Sequence, residues 1–205
     1  KKKTAKNEQT ETWFKGLDRI YNNFVYDFLY PNPASVLAFI ENHDTDRFLG
    51  EGDNLPMLKQ ASTPLLTTRR IPQLYYGTEV MMNGVKSKSD GYVRKDFPGG
   101  WTGDATNALT PAGRTKIQNE CYDFYKTILN WRKGNDVIAK GSMVQFMVQN
   151  GVYAYARQYE GKTIFVMLNG TDAETTVPLK FYKEILKNSK QGKDILSGKA
   201  ITFGE

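Results

Sequence analysis

The chain has 205 residues and a hydrophobic fraction of 40%, enough for the core of one ordinary domain or about one and a half small ones. Its formal net charge of +6 is not gathered in one stripe, which favours a solvated surface over a nucleic-acid site. The single cysteine, Cys121, excludes an internal disulfide and leaves the cellular compartment open. No apolar run approaches the length of a membrane span.

The first predicted elements are a helix and a strand that stops in polar residues. Apolar residues recur at helical spacing from Trp13, and Pro31 ends this helix. Residues 35–40 are almost wholly apolar and rich in strand formers, and the sequence Asn42-His43-Asp44 follows at once. This pattern is typical of a buried parallel strand whose carboxyl end carries polar groups to a ligand site.

A second helix and strand follow in the same order. Residues 55–68 are predicted to be helical, with Asp53 or Asn54 as the cap and Pro56 in the first turn. Residues 71–76 read as the next strand, and a glycine then breaks it. This alternation predicts a parallel pair of strands joined by a right-handed crossover.

A long loop and a third helix complete the first part of the chain. Residues 83–109 are rich in Gly, Ser, Asp and Asn but also carry aromatic residues, which favours an ordered functional loop. Thr110 is the predicted cap of the third helix, Pro111 its first residue and Lys133-Gly134 its end. The predicted buried face of this helix consists of Ile117, Cys121, Phe124, Tyr125, Ile128 and Leu129.

After residue 135 the pattern changes to strands. Asn150-Gly151 and Glu160-Gly161 separate apolar or alternating runs, and Asn-Gly between two such runs is the strongest short signal for a hairpin. Residues 136–205 are therefore predicted to form a separate antiparallel all-β domain. Its predicted strands are residues 143–149, 152–159, 162–168, 175–179, 194–196 and 200–203.

Residues 1–135 are predicted to be the end of a larger sheet or barrel. A single pair of parallel strands cannot be a complete α/β domain, because both its faces and both its edges need cover. The start at Lys1, without Met, likewise suggests a fragment or a processed chain.

Four segments together resemble the α-amylase family of glycoside hydrolases, because their order and spacing agree with that family. Residues 39–44 with Arg47 resemble the last conserved motif of the family, and residues 71–79 resemble its eighth barrel strand. Residues 27–31, and residues 96–101 with Arg94, resemble its neopullulanase and cyclomaltodextrinase branch. The resemblance implies that residues 1–135 contain the last two strands and helices of a (β/α)8 TIM barrel, and that residues 136–205 form a β-sandwich.

The resemblance also implies roles for individual residues. Asp44 would be the carboxylate that stabilises the transition state, and His43 would donate a hydrogen bond to a sugar hydroxyl. Asn42 and Arg47 would orient this pair or contact the substrate, and Tyr76 and Glu79 are candidates for contact with the substrate. The family's nucleophile and acid/base residues belong to earlier barrel strands and are expected before residue 1. The 205-residue segment alone is therefore expected to be inactive.

Plainer interpretations of the same residues stay open. Asn42-His43-Asp44 is compatible with a simple turn, since Asn and Asp favour turns. Arg47 is equally a candidate ion-pair partner of Glu41 or Asp46. Tyr76 fits a core position, and Glu79 fits a turn cap. Trp101 is suited either to stack on a glucose ring or to anchor its loop.

The leading hypothesis for the function is that the chain is part of a retaining glycoside hydrolase that acts on starch-derived α-glucans such as maltodextrin, pullulan or cyclodextrin. The alternatives are a non-catalytic α-amylase-like binding protein and a glucan-binding β-module. The resemblance also allows calcium, although no complete ligand set is visible, and a single histidine disfavours zinc. It further allows a homodimer of the parent protein, and it favours a periplasmic or extracellular location.

Overall fold

The computed structural model describes residues 16–187 and 189–203, and contacts divide the chain into two units. One unit is residues 37–133. The other groups the described residues up to Val36 with those from Gly134 onward. Trp13, where the first helix was predicted to begin, lies outside the described residues. The predicted domain boundary between residues 135 and 136 stays a prediction.

A parallel pair of short strands lies in the first unit. Strand β1 (Leu37–Ala38) pairs with β2 (Ile71–Pro72) in parallel, which confirms the predicted pairing. Both strands are shorter than predicted, and Pro72 has no N–H with which to continue a ladder. The prediction that these strands are buried is wrong for the chain alone, because Leu37 is 53% and Ile71 50% exposed. Within the described residues the sheet has only these two strands.

Helix α2 (Leu55–Thr67) connects the two strands and agrees with its prediction. The side chain of Asn54 caps it by accepting a hydrogen bond from the Met57 amide at 3.0 Å. Pro56 occupies the first turn, where its missing N–H costs nothing. Of the two predicted caps, Asn54 is the one used.

Helix α4 (Lys116–Arg132) begins later than predicted. Pro111–Gly113 form only a 3₁₀ turn, and Thr115 is the true cap. Thr115 and Gln118 complete a reciprocal capping box that Thr110 lacks, which explains the correction. The helix ends at Lys133 as predicted, and Gly134 follows with a φ of 73°.

The core of this unit lies between α2 and α4. Four residues of α4 are buried there as predicted, against Leu58 and Leu66 of α2: Cys121, Phe124, Tyr125 and Ile128. Ile117 and Leu129 are each 37% exposed, so the predicted face is wrong for these two. Leu129 is rotated by about 100° from Ile128, which takes it off the buried face.

The predicted loop contains one short helix, α3 (Asp90–Val93), which the sequence analysis did not predict. Ser89 caps it by accepting a hydrogen bond from the Tyr92 amide at 3.0 Å. This helix contains Asp90, and Arg94 follows it directly as its C-cap.

The second unit contains a three-stranded antiparallel sheet of order β3-β4-β5. Its strands are Ser142–Gln149, Val152–Tyr159 and Lys162–Asn169, close to the predicted bounds. Asn150-Gly151 and Glu160-Gly161 both have positive φ at both positions, as two-residue hairpins of this type require. The predicted hairpins are therefore confirmed.

The remaining strands differ in part from the prediction. Strand β6 (Gln191–Lys193) pairs with β7 (Ala200–Thr202), and the second of these was predicted. The predicted strands at residues 175–179 and 194–196 are wrong. After Pro178 the chain forms a 3₁₀ turn at Leu179–Tyr182, and the carboxylate of Asp194 accepts from the Leu196 amide to form a turn.

Helices also belong to this second unit, and those within residues 136–205 correct the all-β prediction for these residues to a mixed fold with antiparallel sheets. The helices of the unit are α1 (Asp18–Val25), α5 (Asp136–Lys140) and α6 (Lys183–Leu186). Leu17 and α1 pack on Tyr153, Tyr155 and Leu168, and Tyr182 and Leu186 pack on Ala154. Strand β4 is buried from Val152 to Arg157 because both its faces are covered. No helix of the described chain is long and apolar enough to cross a membrane.

Candidate functional site

The Asn42-His43-Asp44 sequence forms a turn in the loop that follows β1. The side chain of Asn42 accepts a hydrogen bond from the Asp44 amide at 2.8 Å. The Asn42 amide in turn donates to the Thr45 hydroxyl at 3.1 Å. Asn42 therefore shapes the turn, as Asn side chains often do, and the next two side chains lie at its tip.

A buried ion pair between Glu41 and Arg47 flanks this turn in the sequence. The guanidinium of Arg47 lies 3.3 Å from the carboxylate of Glu41, and the two side chains are 0% and 2% exposed. Glu41 also accepts hydrogen bonds from the Thr78 hydroxyl at 2.6 Å and from the Phe48 amide. Arg47 thus forms an ion pair, and its partner is Glu41 rather than Asp46.

Arg47 also joins the loop after β1 to the chain after β2. It donates to the Tyr76 carbonyl at 2.6 Å and to the Val93 carbonyl at 3.0 Å. Its guanidinium carbon lies 4.0 Å from the Tyr75 ring centroid and 4.9 Å from that of Tyr76. Burial, and then the hydrogen bond with Tyr76, raises the pKa of Tyr75 above its ordinary value. Arg47 therefore connects the two loops through buried contacts.

The two site residues predicted after β2 have different surroundings. Tyr76 is 40% exposed, and its hydroxyl donates to the Lys95 carbonyl at 2.6 Å, so it is not a core residue. Glu79 lies in the 3₁₀ turn Thr78–Val80 and is only partly exposed. Their roles toward a substrate stay predictions.

His43 and Asp44 form an exposed pair at the tip of the turn. Nε2 of His43 lies 3.1 Å from Oδ2 of Asp44, and the side chains are 59% and 63% exposed. Arg94 lies 3.2 Å from the other carboxylate oxygen of Asp44. The pair is thus open to solvent on one side and held by protein on the other.

Two further charged residues belong to this cluster. Asp90 lies 3.4 Å from Arg94 and 3.2 Å from the ammonium group of Lys86. The hydrogen bond from Lys86, followed by its charge, lowers the pKa of Asp90, so Asp90 is an anion at neutral pH. Lys86 also donates to the Asp44 carbonyl at 3.1 Å. The cluster therefore combines anions and cations around the Asp44 carboxylate.

Sequence reasoning missed the contact between Arg94 and Asp44. Arg94 was noticed only as part of a motif, and nothing in the sequence pairs it with Asp44, 50 residues away. The pairing of Glu41 with Arg47 was one of the two predicted alternatives. Outside this cluster, Trp101 is 73% exposed, which does not fit the loop-anchor interpretation.

The arrangement provides an exposed acceptor beside a potential donor. Carboxylate oxygens of Asp44 and a ring nitrogen of His43 are suited to bind neighbouring hydroxyl groups, and a fixed anion stabilises nearby positive charge. No group of three or more His, Cys, Asp or Glu that could hold a metal occurs among residues 16–187 and 189–203. Calcium stays a prediction.

Known proteins match both parts of the chain. Residues 143–205 match the family described as cyclo-malto-dextrinase C-terminal domain. An alpha-amylase of Niallia circulans is 29% identical over 197 residues, which are 92% of this chain and 32% of that protein. A cyclomaltodextrin glucanotransferase of Thermoanaerobacterium thermosulfurigenes is 30% identical over 196 residues, 92% of this chain and 24% of that protein. The chain thus spans about a quarter to a third of these relatives.

Solved structures show the same likeness in fold. The alpha-amylase of Geobacillus thermoleovorans, solved with acarbose, has a TM-score of 0.67 at 23% identity, over 91% of this chain and 38% of that one. The gamma-cyclomaltodextrin glucanotransferase of alkalophilic Bacillus clarkii has a TM-score of 0.62 at 24% identity, over 91% of this chain and 26% of that one.

Proposed function

We propose, from the premise that this chain belongs to the α-amylase family, that it is part of a retaining glycoside hydrolase acting on starch-derived α-glucans. Maltodextrin, pullulan and cyclodextrin are the substrates we propose, with a neopullulanase-like specificity. The observation that carries the proposal is the exposed His43–Asp44 pair at the carboxyl end of a parallel strand. That end of a parallel sheet is where ligands bind in barrel enzymes.

Asp44 is the residue to which we assign transition-state stabilisation. Retaining glycosidases pass through a transition state that resembles an oxocarbenium ion, between a nucleophilic carboxylate and an acid about 5 Å apart. A third, fixed carboxylate stabilises the positive charge on the sugar most strongly where the bound substrate excludes water. The exposure of Asp44 in this chain, at 63%, leaves it accessible to such a substrate.

His43 would donate a hydrogen bond from its ring to a hydroxyl of the same sugar. Its 3.1 Å contact with Asp44 brings donor and acceptor side by side, which suits two neighbouring hydroxyl groups of a pyranose ring. Asn42 would act through the turn that it forms, and Arg47 through its ion pair with Glu41. Tyr76 and Glu79 would contact the substrate from the loop after β2.

We further propose that β1 and β2 are the last two strands of a (β/α)8 barrel. The half-exposed Leu37 and Ile71 support this, because apolar side chains of a parallel sheet are normally covered on both faces. The nucleophile and the acid/base residue would come from other strands of that barrel. The C-terminal strands would complete a β-sandwich, and a homodimer of the parent stays a prediction.

Transfer to another sugar is a second candidate, favoured by the relatives that are named cyclomaltodextrin glucanotransferases. The same covalent intermediate serves both reactions. In hydrolysis water attacks it, and in transfer the hydroxyl of a second glucan takes the place of water.

The test is to incubate the full-length protein with maltodextrin, pullulan and cyclodextrin and to follow the products by proton NMR. The proposal predicts cleavage in which the α-anomer appears first, since retention conserves the configuration. Longer or cyclic products would favour transfer over hydrolysis. Binding without cleavage would favour the non-catalytic alternative, and first formation of the β-anomer would contradict a retaining mechanism.

A further inference from the structure

One arginine contacts both the side chain and the main chain of the exposed pair. The Nε–H of Arg94 donates to the His43 carbonyl at 3.0 Å. A terminal nitrogen of the same guanidinium donates to Oδ1 of Asp44 at 3.2 Å. The planar guanidinium therefore holds the Asp44 carboxylate in a fixed direction relative to the main chain of His43, the preceding residue.

The two oxygens of Asp44 have different partners. Oδ1 faces Arg94 and Oδ2 faces His43, which leaves little freedom for rotation of the carboxylate. Lys86 adds a hydrogen bond to the Asp44 carbonyl, and Asn42 holds the Asp44 amide. The residue is thus contacted at its amide, its carbonyl and both carboxylate oxygens.

Arg94 is itself held in place by the loop. Asp90, one turn earlier, lies 3.4 Å from its guanidinium, and Lys86 lies 3.2 Å from the other oxygen of Asp90. The carbonyl of Val93, the preceding residue, accepts from buried Arg47. The exposed cluster is therefore connected to the buried Glu41–Arg47 pair through the main chain of Val93, which precedes Arg94.

We infer that Arg94 is a positioning residue that fixes the carboxylate of Asp44 for the transition state. This role rests on the proposed function, since Asp44 is the group that it orients. A carboxylate that turns freely would lose part of its stabilising effect, because electrostatic stabilisation depends on groups that are already in place. Arg94 would act through Asp44, without needing a contact to the substrate.

Kinetics of the full-length protein separate this role from substrate binding. Arg94→Ala is expected to lower kcat by up to about 100-fold, the loss that a displaced group can cause, while KM changes little. Arg94→Lys should fall between wild type and Arg94→Ala, because an ammonium group cannot reproduce the planar fork of the guanidinium. Free guanidinium at millimolar concentration should restore part of the kcat of Arg94→Ala.

The matched control is Lys88→Ala on the same loop. Lys88 forms an ion pair with Glu51, and it is not among the residues that hold Asp44 or Arg94 in place. Removal of the Lys88 side chain should therefore leave kcat unchanged, and guanidinium should have no effect on this variant. Thermal melting of each variant checks that the fold is retained.

Different failures are distinguishable. A raised KM with unchanged kcat would overturn the positioning role in favour of direct substrate contact. An Arg94→Ala variant as active as Lys88→Ala, or one that guanidinium does not rescue, would overturn it as well. Inactive wild-type protein would instead contradict the proposed function, and with it the role given to Arg94.

Discussion

Replacing Arg47 by Met is expected to destabilise the unit of residues 37–133 strongly. Arg47 is 0% exposed and neutralises the equally buried Glu41 at 3.3 Å. The substitution leaves the Glu41 carboxylate in the interior with only neutral donors. It also removes the hydrogen bonds to the Tyr76 and Val93 carbonyls.

The expected loss is about 3–5 kcal/mol of the free energy of unfolding, the usual cost of removing one partner from a buried ion pair. Urea denaturation measures it, with the fluorescence of Trp131 as the signal, since this residue packs against the core of the same unit. Removing Glu41 as well, as Arg47→Met with Glu41→Met, should cost less than the sum of the two single changes, because it deletes the unpaired charge.

The matched control is Lys59→Met, which breaks the exposed Lys59–Glu120 pair on the helices of that unit. Exposed pairs contribute little, so this variant should unfold close to the wild-type urea midpoint. A loss below about 1 kcal/mol for Arg47→Met would refute the view that the buried pair supports the site, since that is the range of exposed pairs.

Two further predictions concern the chain as a whole. Burial raises the pKa of the Cys121 thiol from 9.0 to about 12, so this thiol should not react with Ellman's reagent at pH 8 until the chain unfolds. The corresponding stabilisation is fully present below pH 9.0 and lost as the pH rises through about 12; a fast reaction of folded protein would contradict this burial. The 205-residue chain alone should not hydrolyse maltodextrin, and it should self-associate in sedimentation experiments through the exposed Leu37 and Ile71. Changing both to Ser should reduce association, whereas Leu109→Ser, at a residue that is 62% exposed, should not; equal effects would show that association does not occur through the strand pair.

Local signals predicted the elements that depend on local chemistry. The first hairpin agrees with the prediction because Asn and Gly both adopt positive φ readily, and at the second hairpin Gly161 supplies this freedom at one of the two turn positions. The start of α4 was missed although its signal was local. Thr115 has a glutamine three residues later to complete the capping box, and this feature separates it from Thr110.

Features set by distant residues were not readable from the sequence. Residues 175–179 alternate like a strand, but the structure pairs no strand with them within its described part. Likewise, the position of Asn42-His43-Asp44 after β1 was predicted, whereas the contact between Asp44 and Arg94 was not, because it joins loops 50 residues apart. The choice of Glu41 as the partner of Arg47 depends on how two loops pack together.

The most direct test of the central claim is Asp44→Asn in the full-length protein, assayed by kcat on maltodextrin. Asn keeps the size of the side chain but removes its charge, so the turn at Asn42 and the overall fold should persist. We predict a loss of turnover of about 10²–10³-fold, as for other groups that stabilise charge in a transition state, with an unchanged melting temperature. Turnover close to wild type would contradict the catalytic role of Asp44 and the proposed function that depends on it.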